Sequence, residues 1–313
     1  MTAPGTLTSL DAAFLLLERH DAPMHVGSVA VFEGEPLRDA RGRVRIDDIR
    51  DLLVARLPLL ARFRQRLQWT PLRQAHPYWV DDDAFDIARH VRLVHLPPPG
   101  DDRALRDLAA RVHMDLLDRR HPLWELVFVD GLDHGRVAMI EKLHHSLVDG
   151  VSGADVAAIV LDATPQAPAA EPAPFLPTRP PAAPRLLVRE LASAGGEVAR
   201  VAATTLSLAL HPDGRPDEVV TGLRELLRSG FAHRSSLNDR IGTSRRLEVV
   251  SRSLDEVRQT KARLGGTVND VVVAAVARGL HELLMARGED VDTLTALVPV
   301  SRRPDDQHGA LGN

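Results

Sequence analysis

Between Ala163 and Pro184 eight prolines are interleaved with alanine. Proline lacks a backbone donor and fixes φ, so neither a helix interior nor a central strand can run through this stretch. It reads as extended, weakly packed linker, which forces any fold to place separate cores before and after it. With 313 residues the chain has the length for about two domains, each able to bury a core. The expected layout is a first domain over 1–162, linker over 163–184, a helical connecting segment over 185–244, and a second domain from 245 to 313.

Composition then removes whole classes of chemistry. The chain has no cysteine, which excludes a disulfide framework, a thiolate zinc site, an iron–sulfur cluster and a cysteine nucleophile. Its 39 basic and 43 acidic side chains give a net charge of −4, so no dominant basic footprint for nucleic acid is expected. Met1 to Leu17 has no basic start and Asp11 interrupts its apolar stretch, unlike a signal peptide. No uncharged apolar run reaches the roughly eighteen residues of a spanning helix. The expectation is a soluble cytoplasmic protein.

Before the linker, helices and strands alternate. Thr8-Ser9-Leu10-Asp11 has the form of a capping box, and Ala12 to Glu18 then make one short helix. His25 to Phe32 is valine-rich between Pro23 and Glu33-Gly34, which predicts a strand. Asp47 to Ala61 and Asp101 to Leu117 are predicted helices with acidic N-terminal turns. Phe63 to Trp69, Tyr78 to Val80, Leu123 to Val129 and Val137 to Leu143 are predicted strands, the last two joined by a Gly131–Gly135 turn. A layered α/β or α+β domain follows from this order. Beyond the linker, Leu186 to Leu210 is helix-prone and apolar, and carries Arg189 and Arg200. It reads first as a packed surface helix and second as an interfacial helix on lipid. Leu247 to Ser253 and Thr293 to Val300 read as strands, Leu254 to Leu264 and Val268 to Leu284 as helices.

The strongest chemical constellation is Leu143-His144-His145-Ser146-Leu147-Val148-Asp149-Gly150. It closes a strand and precedes a predicted helix from about Gly153 to Leu161. Side chains alternate along a strand, so His144 and His145 face opposite sides, one toward the layer interior and the other toward a cleft. Gly150 gives the backbone freedom to turn from strand to helix. A neutral imidazole can take a proton from a hydroxyl or amine and return it to a leaving group. Asp149 either acts directly or holds the turn by pairing with an arginine, the second being favoured. A Ser146 nucleophile is disfavoured, because neighbours at a strand end point apart and no strained elbow surrounds it. A metal held by His145 and Asp149 lacks a third ligand nearby, and no metal site is expected. The segment lacks a G-x-S-x-G elbow, a P-loop, a dinucleotide glycine fingerprint and an H-E-x-x-H helix, as does the rest of the chain.

The pattern H-H-x-x-x-D-G resembles that of the coenzyme A-dependent acyltransferase superfamily, with its chloramphenicol acetyltransferase-like enzymes and peptide-synthetase condensation domains. Several further segments resemble bacterial wax ester synthase/diacylglycerol acyltransferases. They are Leu10-Asp11-Ala12-Ala13-Phe14, Pro23-Met24-His25-Val26-Gly27, Val29 to Gly34, His90-Val91-Arg92, Pro122-Leu123-Trp124-Glu125, the proline-rich linker, Asn269-Asp270 and Val298-Pro299-Val300-Ser301. The resemblance runs over nearly the whole chain. It departs at Leu237-Asn238, where Asp239 follows in place of the family's common glycine.

The resemblance implies a chloramphenicol acetyltransferase-like two-domain α/β architecture whose second domain is incomplete at Gly312-Asn313. It implies that His145 is a general base and that His144, Asp149 and Gly150 support its loop. His145 would deprotonate an acceptor hydroxyl that attacks a fatty acyl-CoA thioester, and would return the proton to the departing thiolate. Acyl-CoA is then a co-substrate, no bound cofactor is implied, and no acyl-enzyme is needed. Diacylglycerol or a long-chain alcohol is the implied acceptor, at the inner face of a membrane or a lipid-droplet surface. Pro122-Leu123-Trp124 is expected to be buried structure near the site. Asn269-Asp270 is expected to open a helix as its N-cap, and the resemblance adds a position near an interdomain channel. Two rivals stand beside this reading: a condensation-type enzyme with an amine acceptor, and a non-catalytic, lipid-associating truncated module.

Overall fold

The computed structural model describes residues 7, 9–69, 76–147, 161, 177, 235–239, 241–291 and 293–294. These fall into two compact units, one formed by the residues up to 177 with Thr243–Leu247, the other by 235–242 and 248–294. The linker, Leu186 to Leu210, the predicted helix before Leu161 and most of the strand predicted at Thr293 to Val300 lie outside the described residues. So do Asp149 and Gly150.

The first unit is built on a four-stranded sheet in the order β1-β6-β5-β4. Its strands are β1 (His25–Phe32), β4 (Val91–His95), β5 (Trp124–Asp130) and β6 (Val137–His144). A separate antiparallel pair joins β2 (Gln65–Gln68) to β3 (Tyr78–Asp81). β6 runs antiparallel to both β1 and β5, whereas β4 and β5 are parallel. Parallel neighbours require a crossover, and the helix Asp102–Met114 supplies it.

The helices of this unit are α1 (Ser9–Leu17), α2 (Ile46–Arg56), the single turn α3 (Ile87–His90) and α4 (Asp102–Met114). The predicted α2 is shorter than its periodicity suggests. Pro58 has no amide to donate to the Val54 carbonyl, and the chain passes into 3-10 turns at Leu57–Leu59 and Ala61–Arg64 before β2. The acidic cap expected for α4 is present, with the Asp101 carboxylate accepting from the Ala104 amide at 2.8 Å.

Period-two alternation sorts the sheet's side chains into two cores. Val137, Met139 and Leu143 of β6 pack with Leu126 and Phe128 of β5 against Leu15 of α1 and Leu53 of α2. Ala138 and Ile140 pack with Val127 and Val129 against Leu105, Ala109 and Val112 of α4. β6 is therefore buried along its whole length, although it carries Glu141, Lys142 and His144. Each of these has a partner. Lys142, on the α4 face, donates to the carbonyls of Val112 at 2.9 Å and Asp115 at 3.1 Å, free acceptors at the end of α4. Its ammonium also lies 2.9 Å from the Glu125 carboxylate, which Arg92 contacts from β4. Glu141, on the opposite face, accepts from the Ser28 hydroxyl at 2.8 Å, while its burial pushes its carboxyl above the usual range.

Gly27 marks the closest approach of α4 to the sheet. A Cβ there would collide with the His113 ring and the Glu141 carbonyl, so the small residue is required by space. In the second unit, α5 (Leu254–Leu264) and α6 (Val268–Ala286) form a helix pair. Leu247 to Ser253 is not a strand. It has no ladder among the described residues, and Val249 and Val250 are 67% and 81% exposed. Asn269-Asp270 is not the helix cap either. Thr267 occupies that position, with Asp270 at the third helical residue completing a reciprocal capping box.

Candidate active site

His145 sits on the 3-10 turn His145–Leu147 that begins where β6 ends. The backbone of that turn is held from both neighbouring strands: the His144 amide donates to the Leu123 carbonyl at 3.0 Å, and the His145 amide to the Met24 carbonyl at 2.9 Å. Leu123 directly precedes β5, and Met24 directly precedes β1. The two flanking strands thus fix the point at which the paired histidines leave the sheet.

From this point the two imidazoles take different environments. The His145 ring is half-buried and stacks on Phe14 of α1, with centroids 4.6 Å apart and planes 16° from parallel. Burial, followed by the neighbouring His144 and His25 imidazoles, lowers the His145 pKa below its ordinary value. The group is therefore a neutral imidazole at neutral pH, free to accept a proton. His144 is fully buried, and its Nδ1 accepts from the Ser146 amide at 3.0 Å. The Ser146 hydroxyl lies 2.7 Å from that same nitrogen. Ser146 is thus bound to His144 and has 0% exposure, which leaves it unable to serve as a nucleophile with His145. The pair divides into one buried and one half-buried ring, and the strand stops between them instead of continuing through both.

The other side of His144 faces a carboxylate that the sequence reading left at the end of a short helix. Glu18 Oε1 lies 3.5 Å from His144 Nε2 and 3.3 Å from His25 Nε2, and it accepts from the Met24 amide at 3.2 Å. Oε2 accepts from Arg119 at 3.0 Å. The Glu18 side chain is 1% exposed. Burial opposes its ionisation, but the contacts to His144, His25 and Arg119 outweigh it and hold the carboxyl far below the usual range. The one signal for this residue in the sequence is an acid closing an apolar helix; its partners Arg119 and His144 lie far along the chain.

Pro122-Leu123-Trp124 is buried structure, as expected. Leu123 and Trp124 are 0% and 2% exposed, and the indole Nε1 donates to the Phe63 carbonyl at 2.8 Å. His90 stacks on that indole at 4.6 Å and its Nδ1 lies 2.9 Å from the Trp124 carbonyl, which ties α3 to β5. A cleft of about 490 Å³ opens along α4, lined by His20, Asp107, Arg111, Met114, Asp115 and Arg245. A smaller apolar cavity of about 150 Å³ lies between the sheet and α2, with Phe32, Ile49, Phe128 and Met139 in its wall. His145 lines neither of the two. Among the described residues no cluster of three or more His, Asp or Glu could hold a metal ion.

Comparison with known proteins places this geometry. The wax ester synthase/diacylglycerol acyltransferase catalytic domain matches residues 7–272. The chain is 38% identical over 309 residues to the probable diacylglycerol O-acyltransferase tgs2 of Mycobacterium tuberculosis, covering 97% of this chain and 65% of that relative. It is 34% identical over 264 residues to the probable diacylglycerol O-acyltransferase tgs3 of the same species, covering 82% of this chain and 95% of tgs3. Among solved structures it resembles the wax ester synthase/diacylglycerol acyltransferase from Marinobacter aquaeolei VT8, with 29% identity and a TM-score of 0.61. That match covers 92% of this chain and 63% of the solved one. The chain thus spans about two thirds of the length of the first of these relatives. With the sheet, the paired histidines and the match over most of its length in agreement, the chain belongs to the wax ester synthase/diacylglycerol acyltransferase catalytic domain family.

Proposed function

We propose that this protein moves a fatty acyl group from acyl-CoA to the hydroxyl of diacylglycerol or a long-chain alcohol, with His145 as general base. The reading rests on one observation above the others: His145 is the half-exposed imidazole of the pair, while His144 and Ser146 are buried and occupied with each other. His145 removes the proton from the acceptor hydroxyl, whose oxygen attacks the thioester carbonyl. The tetrahedral intermediate collapses with cleavage of the carbon–sulfur bond, and the imidazolium returns the proton to the thiolate of coenzyme A. The products are an ester and free coenzyme A, and no covalent acyl-enzyme forms. His144, Asp149 and Gly150 support the loop in this scheme, and acyl-CoA enters as a co-substrate.

Names of the relatives support the substrate class: the curated matches are called diacylglycerol O-acyltransferases and the solved structure a wax ester synthase. The tgs3 relative is matched over 95% of its own length, so the alignment to it is nearly complete. Association with a lipid surface accompanies the reading, with Leu186 to Leu210 as the contact segment. Among the described residues no helix is long and apolar enough to cross a membrane.

Incubation with radiolabelled palmitoyl-CoA and either hexadecanol or a diacylglycerol tests the proposal. Labelled wax ester or triacylglycerol should appear together with free coenzyme A, and the denatured protein should carry no label. Label retained on the protein would overturn the direct-transfer scheme. Absence of product with both acceptors would favour a lipid-associating, non-catalytic module.

A further inference from the structure

The carboxylate of Glu18 is buried behind the candidate base, and general base chemistry at His145 makes no direct use of it. Four groups from three parts of the first unit converge on it: the Met24 amide and His25 at the start of β1, His144 of β6 and Arg119 from the segment before β5. Arg119 also donates to the Leu15 carbonyl at 2.6 Å and so ties Glu18 to the end of α1, the helix whose Phe14 stacks on His145.

Both rings beside Glu18 are held on their other side as well. His25 Nδ1 lies 3.0 Å from the His113 carbonyl, which can only accept, so that nitrogen carries a proton. Its Nε2 lies 3.3 Å from Glu18 Oε1, and its side chain is 2% exposed. His144 Nδ1 accepts from the Ser146 amide, and its Nε2 lies 3.5 Å from the same carboxylate oxygen.

Met24 connects the cluster to the site. Its amide is held by Glu18 and its carbonyl accepts from the His145 amide, so the carboxylate fixes the corner on which the turn hangs. We propose that Glu18 is a positioning residue for His145: its carboxylate clamps the Met24–His25 corner from which the turn hangs and, through Arg119, the end of α1 whose Phe14 stacks on His145, and so holds the His145 ring in place. This rests on the reading of His145 as the base.

A clamp of this kind acts on the placement of the His145 ring more than on substrate binding. Glu18→Gln keeps the shape of the side chain but removes the anion that Arg119 and the Met24 amide hold. The expected effect is a fall in kcat of about tenfold or more, with KM for palmitoyl-CoA changed by less than about twofold. A general loosening of the fold would raise KM as well.

The test combines kcat and KM of the wild type, Glu18→Gln and Glu18→Asp with ¹⁵N spectra of the His145 side chain in the full chain. The expected results are a lowered kcat at near-constant KM in Glu18→Gln, partial recovery in Glu18→Asp, and a displaced His145 ring signal in Glu18→Gln. An unchanged kcat in Glu18→Gln, a rise in KM in place of the fall in kcat, or an unmoved His145 signal would overturn the proposal. Where Glu18→Gln fails to fold, Arg119→Gln decides, since it loosens the same clamp from its more exposed side and should lower kcat in the same way. Full activity in His145→Ala would remove the base assignment, and the His145 signal in Glu18→Gln would still decide the positioning.

Discussion

The paired histidines sit in different surroundings, His144 buried against Ser146 and His145 half-buried on Phe14, and that division predicts how variants behave. Ser146 is a hydrogen-bond partner of His144, so Ser146→Ala should keep acyl transfer near the wild-type rate and cost about 1 kcal/mol of stability. Loss of activity on the scale of roughly 10⁶, as for removal of a true serine nucleophile, would contradict this placement. The lowered pKa of His145 carries a pH signature. The base works when unprotonated, so kcat/KM should fall on the acid side through a limb below the ordinary imidazole value of 6.5. A limb at or above that value would show that burial and the neighbouring imidazoles do not control the group. Glu18 carries the stability counterpart. Its folded-state pKa is depressed, so its contribution is complete above the ordinary value of 4.5 and is lost as pH falls toward the folded value.

At the scale of elements, the sheet is tied together by a charge relay across three strands. Arg92 of β4, Glu125 of β5 and Lys142 of β6 meet on the α4 face, and Lys142 ends on the last carbonyls of that helix. Removing one partner leaves a buried charge uncompensated, so Glu125→Ala should cost about 3–5 kcal/mol in chemical denaturation. The pair Glu125→Leu with Lys142→Met should recover most of it, because the cost arises from the orphaned ion. A loss under about 1 kcal/mol in Glu125→Ala would show that water reaches Lys142.

Elements of this kind were legible in the sequence wherever local punctuation marked both ends. Pro23 and Glu33-Gly34 delimit β1, and Ser253 and Gly265 delimit α5, and both appear with the predicted bounds. Leu247 to Ser253 carries a strand-like pattern without a ladder partner among the described residues, and pairing is information no single segment holds. The site divides in the same way. Adjacent histidines at a strand end are visible in sequence, and so is the division of their directions. Glu18 was not, because its meaning comes from His25, Arg119 and His144, which only the folded sheet brings together.

For the whole molecule, the first unit by itself assembles the proposed base, the turn that carries it and the buried cluster behind it. α1 contributes the stacking ring, β1 and β5 the backbone anchors, and β6 the paired histidines. Along the sequence the candidate chemistry lies before the proline-rich stretch, and the helices α5 and α6 lie after it. The family match spans that division, reaching residue 272. The central claim is that His145 supplies the proton transfer in acyl movement from coenzyme A to a lipid hydroxyl. Its most direct test is the steady-state rate of labelled ester formation by His145→Ala beside the wild type, with palmitoyl-CoA and the better of the two acceptors. The account predicts a fall of about 10²–10⁴ in kcat with the protein still folded. Equal rates from the two proteins would contradict it.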